Sequence, residues 1–456
     1  MYPIGILLLF IIGWLVVMNI STLTTRTERI GLAFPIGTGV VTLVMALMDL
    51  VRIPLTSASL LTADVVIAAL LTAALFRRRE AVGKALTARP DFSWFNLVWL
   101  LLLAFVVWIE YANFAKCMFF PTYDRDSLAA FDTMGFIAAQ EHTYGAMSIF
   151  RGDYMPGIHA PGSPIAYMPL VQLAYAYVYS LGAETSKIIP ALMFLSFLIA
   201  FYALLCRHTS RTAAMAATLM TLLTPEMLSF SSLSGVNVID AAYASTGVIC
   251  VLTFLENDRT PALVLGSLLL ALNVWCRAEG VVFVLIAMLM TFIYALRKHR
   301  WMPLLIAALA LLPVVIWKIY TAAFDMTTES FIITHPFIDV EKASKIMTGA
   351  WALLSDTAHY GWTFVALLLA VLLDAWFVYK RRCTIDILKV VYFVLGIALY
   401  YLALYHIDYK WDSIENVLAY SAKRFLFCFV PLAWYFVVTC SPVAGAMHKV
   451  DEWMAR

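Results

Sequence analysis

The chain has 456 residues, of which 63% are hydrophobic and 13% charged, with a formal net charge of +2. Apolar runs of about 20 residues, the length that crosses a hydrocarbon core, recur from end to end, and this excludes a soluble globular fold. No strand-length alternation of an outer-membrane barrel occurs, and the scattered, nearly balanced charge implies neither nucleic acid nor a strongly acidic partner. The expected class is therefore an all-α polytopic membrane protein.

Thirteen transmembrane helices are expected, at about 3–19, 30–50, 59–76, 94–112, 188–206, 212–230, 237–256, 261–276, 281–296, 302–323, 362–380, 386–405 and 423–441. The first run, Pro3 to Val17, lacks the basic leader and small-residue cleavage site of a secretory signal and reads as a membrane helix. The seven cysteines, Cys117, Cys206, Cys250, Cys276, Cys383, Cys428 and Cys440, fall mostly inside apolar runs without paired spacing, as small core residues do.

Lysine and arginine gather in cytoplasmic loops. The clusters at Arg77-Arg78-Arg79, Arg207/Arg211, Arg297-Lys298/Arg300 and Lys380-Arg381-Arg382 fall on one side of the thirteen-helix arrangement. This puts the N-terminus outside and the tail 442–456 in the cytoplasm. A fourteenth span at 165–183 would reverse the later basic loops. That stretch is instead expected as an outer-interface or re-entrant helix, with Tyr167, Tyr175, Tyr177 and Tyr179 at headgroup depth.

The external side then carries a long loop, 113–187, and shorter ones at 324–361 and 406–422. The first opens on Thr122-Tyr-Asp-Arg-Asp-Ser-Leu-Ala-Ala-Phe-Asp132, which sets three carboxylates and Arg125 just beyond a hydrophobic run. Leu128, Phe131, Met134, Ile137 and Ala138 repeat at helical spacing, as in an amphipathic helix lying on the membrane. Asp126 or Ser127 could simply cap that helix; Asp124 and Asp126 also offer a base facing the external water. The Gly- and Pro-rich stretch Arg151 to Pro164 is expected to be irregular.

Later charges fall near span ends, where a charge at membrane depth costs several kcal/mol unless it has a partner or a function, about 2.5–3.5 on insertion scales. These are Asp240, Arg277, Glu279 and Arg424. Both arginines could snorkel to the interface; a guanidinium fork also suits a phosphate, with Glu279 orienting Arg277. Of the histidines, His142, His159, His335, His359 and His406 lie on the external side, and their spacing matches no metal motif. Arg151-Gly-Asp153 reads as a chance tripeptide.

The layout resembles the GT-C glycosyltransferases, membrane enzymes that take sugar from a polyprenyl-phosphate carrier, such as protein mannosyltransferases and aminoarabinose transferases. Asp126-Ser-Leu-Ala-Ala-Phe131 is similar to their Trp-Asp-Ser form, Tyr167-Met-Pro-Leu170 to a Tyr-Pro-Pro-Leu segment with Met168 in place of one proline, Cys276-Arg-Ala-Glu-Gly280 to a basic-x-Glu-Gly turn, and Lys423-Arg-Phe-Leu426 to an Arg-Phe-Leu helix start. Asp240 resembles an acidic residue found near the same span start in several subfamilies.

The resemblance covers residues 94–441 and leaves three N-terminal helices, 1–93, without a role. It implies an inverting transfer at the external face of a bacterial inner membrane, from a polyprenyl-phosphate-linked sugar to a lipid, glycan or protein acceptor. Asp126 or Asp124 would be the base, and Arg277, Arg424, Glu279, Asp240, Arg125 and Tyr167 would bind donor and lipid phosphate. A divalent metal is used by some members, and His142, His159 and His335 are the candidates. Two other classes remain open on the sequence: a transporter or lipid flippase, and an O-antigen polymerase or ligase with a pyrophosphate-linked donor.

Overall fold

The computed structural model describes residues 1–21, 24–77, 79, 83, 96–151, 153, 167–326, 331–333, 339–381, 384–409 and 412–454. Eleven of its helices are long and apolar enough to cross a membrane: α1 (Tyr2–Ile20), α2 (Arg26–Leu50), α3 (Ser57–Phe76), α4 (Leu97–Phe119), α7 (Ile188–Leu205), α10 (Asn237–Asn257), α12 (Ala278–Lys298), α13 (Met302–Ala323), α16 (Thr363–Arg381), α17 (Thr384–His406) and α18 (Ile414–Thr439).

The other two expected spans take different forms. That at 212–230 is broken into α8 (Arg211–Leu222) and α9 (Pro225–Ser231), bent by 71°. Pro225 opens α9, where its missing N–H costs nothing. The span at 261–276 is α11 (Thr260–Cys276), an apolar helix of 17 residues, at the short end of the spanning range. Shorter helices α5 (Thr133–Glu141), α6 (Leu170–Ser180), α14 (Val340–Leu354), α15 (Thr357–Tyr360) and α19 (Ser441–Met454) complete the set. The only strands among the described residues are Phe331–Ile333 and Ile407–Tyr409, paired antiparallel.

The core centres on α10, where every residue from Asn237 to Phe254 is buried, so this helix is walled by protein on all sides. Glycines let helices approach: a Cβ on Gly247 would meet Leu270 at 2.9 Å, and one on Gly266 the Gly247 carbonyl at 2.9 Å. Small residues do the same between α1 and α2. A Cβ on Gly13 would lie 1.7 Å from the Ala33 carbonyl oxygen, and one on Gly37 1.7 Å from that of Leu9. Backbone-to-backbone packing of this kind is how helices associate where no hydrophobic effect drives them together.

The N-terminal helices brace the long loop 113–187. Asp49, 2% exposed at the end of α2, accepts from Thr143 Oγ1 (2.7 Å), Tyr144 N (3.0 Å), Gly145 N (2.8 Å) and the Tyr320 hydroxyl. Asp64 of α3, equally buried, lies 2.5 Å from the Tyr177 hydroxyl, which is 3.2 Å from the Gly5 carbonyl. Burial, then Asp64, push that phenol far above its ordinary range, so it stays a donor. The boundary expected at 93/94 lies outside the described residues.

Two expectations for the loop change. Leu170 to Val178 of α6 are all buried, and Tyr175 and Tyr177 are enclosed by protein, while Tyr167 is 39% exposed. The apolar face of α5 likewise packs on α6: Phe131, Met134 and Ala138 are buried, and a Cβ on Gly135 would meet Tyr175 at 2.5 Å. Protein covers Phe131, Met134 and Ala138, Ile137 is half-buried, and Leu128 at the start of the expected face is exposed. Most of Arg151 to Pro164 lies outside the described residues.

Candidate functional site

The chain enters the site from α4. Asp124 accepts from both the backbone N–H and the hydroxyl of Ser127, each at 3.1 Å, and so closes the turn into a π-helical stretch, Ser127–Asp132, ahead of α5. Capping is therefore done by Asp124, and Asp126 makes no cap hydrogen bond. Asp126 Oδ2 instead accepts from the guanidinium of Arg424, 298 residues away. Asp132 is held by the hydroxyls of Tyr179 (2.7 Å) and Ser186 (2.6 Å), which fix α5 to α6 and to the entry of α7.

A second arm comes from α10 to α12. Arg277 follows the last residue of α11 and is 9% exposed. Its Nη2 donates to Glu279 at 2.8 Å and its Nη1 to Asn237 at 3.1 Å, while its buried Nε has no hydrogen-bond partner. Burial opposes the charge, and Glu279 and Asp240 outweigh burial, so the guanidinium stays protonated. The glycine of the Arg-Ala-Glu-Gly turn has a steric reason: a Cβ on Gly280 would meet Asn273 Oδ1 at 2.5 Å and Val274 N at 2.8 Å.

These arms meet in one cleft, lined by Asp124, Asp126, Tyr167, Arg277 and Arg424 with Phe131, Phe230, Gly235, Val236 and Asn237 among its walls. Its free volume is about 20 Å³, room for one water molecule. Tyr167 stands at the rim, its ring 5.7 Å from that of Phe131. Five of the residues expected from the sequence thus converge, drawn from four separate stretches of the chain.

Others do not. Asp240 is 2% exposed beneath the cleft, accepting from Asn273 Nδ2 (2.6 Å) and the Cys428 thiol (3.3 Å), so it supports the turn that carries Arg277 and does not line the cleft. Glu279 touches the site only through Arg277. Arg125 is exposed and not among the lining residues. His142 is an exposed left-handed helix end (φ 57°) whose carbonyl accepts from Leu55 N; His159 and His335 lie outside the described residues. Among the described residues no group of three or more His, Cys, Asp or Glu is arranged to hold a metal ion.

The sequence reading missed Asn237 and Phe230, which come from the Ser- and Gly-rich approach to α10; polar residues ahead of an apolar span were the available signal. It also missed Glu226, which pairs with Lys423 and lies 3.3 Å from His359 Nε2, because α9 read as the end of a span. The Tyr360 hydroxyl donates to the Lys423 carbonyl at 2.6 Å, so the turn presenting Arg424 is anchored by side chain and backbone. No family model matches the chain, and neither a curated protein nor a solved structure does.

Proposed function

We propose that the protein is a membrane glycosyltransferase of the GT-C kind, moving a sugar from a polyprenyl-phosphate carrier to a hydroxyl or amine of a lipid, glycan or protein acceptor. The observation that carries the reading is the cleft, where a carboxylate with no capping duty stands beside two arginines, one of them buried with an unsatisfied donor. An active site for this reaction needs a base for the acceptor and a cationic cradle for the departing phosphate.

In the proposed reaction the acceptor O–H or N–H gives its proton to Asp126 as its oxygen or nitrogen bonds to the anomeric carbon. The bond from that carbon to the phosphate oxygen breaks, and its electron pair leaves on the lipid phosphate. Direct displacement inverts the anomeric centre. Arg277 and Arg424 stabilise the charge growing on the phosphate, and Arg277 does so without reorganising, because Glu279 and Asn237 already hold its fork. Asp124 keeps the turn in shape, and Tyr167 covers the rim.

The cleft would face the periplasm of a bacterial inner membrane. Purified protein incubated with labelled polyprenyl-phosphate sugars and a membrane extract tests the reading: transfer that inverts the anomeric centre supports it, and its absence with every donor opposes it.

A further inference from the structure

The cleft is narrow. The Arg424 guanidinium is paired with Asp126 across it, and the remaining free volume of about 20 Å³ does not admit a phosphate ester. The carboxylate oxygen bonded to Arg424 is already committed, so the proposed base and one of the proposed phosphate ligands occupy each other. From this we infer that the Asp126–Arg424 pair is a latch that the donor's phosphate opens. The inference rests on the phosphate-binding reading of the cleft given above.

Three features make the exchange favourable. The pair is partly exposed, with side chains 30% and 43% accessible, and ion pairs in contact with water are held weakly. The donor's phosphodiester carries one charge, as a carboxylate does, and presents two free oxygens to two guanidinium groups at once, so it competes for Arg424 with Arg277 as its second partner. Arg277 is fixed on two sides and still has one buried N–H without a partner; an oxyanion arriving there satisfies it, and its other oxygens reach for Arg424. As Arg424 turns to the phosphate, Asp126 is released to take the acceptor's proton. Donor binding therefore arms the base, and an acceptor that arrives first meets a carboxylate with one oxygen held by Arg424.

A double-mutant cycle read by binding tests the latch. Geranyl phosphate is titrated against the full-length protein in detergent, with inorganic phosphate beside it to separate recognition of the lipid ester from recognition of the bare anion. If the latch exists, Asp126→Asn tightens geranyl phosphate binding about fivefold, the scale of coupling expected of an exposed ion pair. Asp124→Asn, which removes a neighbouring charge not bonded to Arg424, changes it less than about twofold. In an Arg424→Gln background Asp126→Asn gives no gain. Equal tightening by the two aspartate variants, or the same gain with Arg424→Gln, overturns the latch while leaving phosphate binding intact. If Arg424→Gln does not fold, the comparison of the two aspartate variants decides alone. No binding of either phosphate to the unaltered protein overturns the latch and the phosphate reading together.

Discussion

Asp124 and Asp126 are two residues apart and held in different ways, one bonded to the Ser127 turn and the other to Arg424. The sequence reading saw both carboxylates but could not divide their roles, because an N-cap and a base look alike in a string of letters; the division depends on a contact 298 residues away. It has a measurable consequence. Asp126→Asn is expected to lower transfer by about 10² to 10⁴, the usual contribution of a general base, with thermal stability nearly unchanged. Asp124→Ala is expected to cost about 1 kcal/mol of stability and much less rate. Parallel rate and unfolding measurements on the two variants check this. Arg277→Lys keeps the charge but loses the fork that spans Glu279 and Asn237; kcat/KM for the donor is expected to fall about tenfold, a loss of some 1.4 kcal/mol, carried mainly by kcat.

At the scale of elements, local pattern foretold which helices exist better than what covers them. Hydrophobic periodicity located α5, and the tyrosine-rich stretch located α6, yet both bury their apolar faces on protein. In a chain this hydrophobic, lipid and protein neighbours select the same residue types, so periodicity cannot tell them apart. The discriminating signal is the buried polar contact, such as Asp64 with Tyr177 or Asp49 with the turn at Thr143 to Gly145. These give the three N-terminal helices a structural task, that of holding the long loop 113–187 at two points. Asp49→Ala strands two backbone N–H groups and two hydroxyls, and is expected to cost at least about 2 kcal/mol. Limited proteolysis at the 143–153 segment should report the loss first. Gly13→Leu, which forces α1 away from α2, is expected to produce the same loosening from a distance.

For the whole molecule, composition and run length were enough to identify an all-helical membrane protein. Eleven spans followed as expected, while the bent α8–α9 pair and the short α11 are forms that a hydropathy count cannot distinguish from full spans. Contacts sort the ends of the helices consistently with the expected alternation. Asp126 meets Arg424 and Asn237 meets Arg277 at one end, while Glu28 meets Arg207 and Lys389 meets the Thr439 carbonyl at the other. In a cysteine-free background, Tyr123→Cys is expected to react with an impermeant maleimide added to intact cells, and Arg300→Cys only after lysis; the reverse pattern would invert the topology.

The measurement closest to the central claim is transfer of labelled sugar from a panel of polyprenyl-phosphate donors by the purified protein, run beside Asp126→Asn. The account predicts transfer from at least one donor, with inversion at the anomeric carbon, and its loss in a variant that still folds and still binds lipid phosphate. Full activity in Asp126→Asn, or no transfer from any donor by protein shown to be folded, would contradict it.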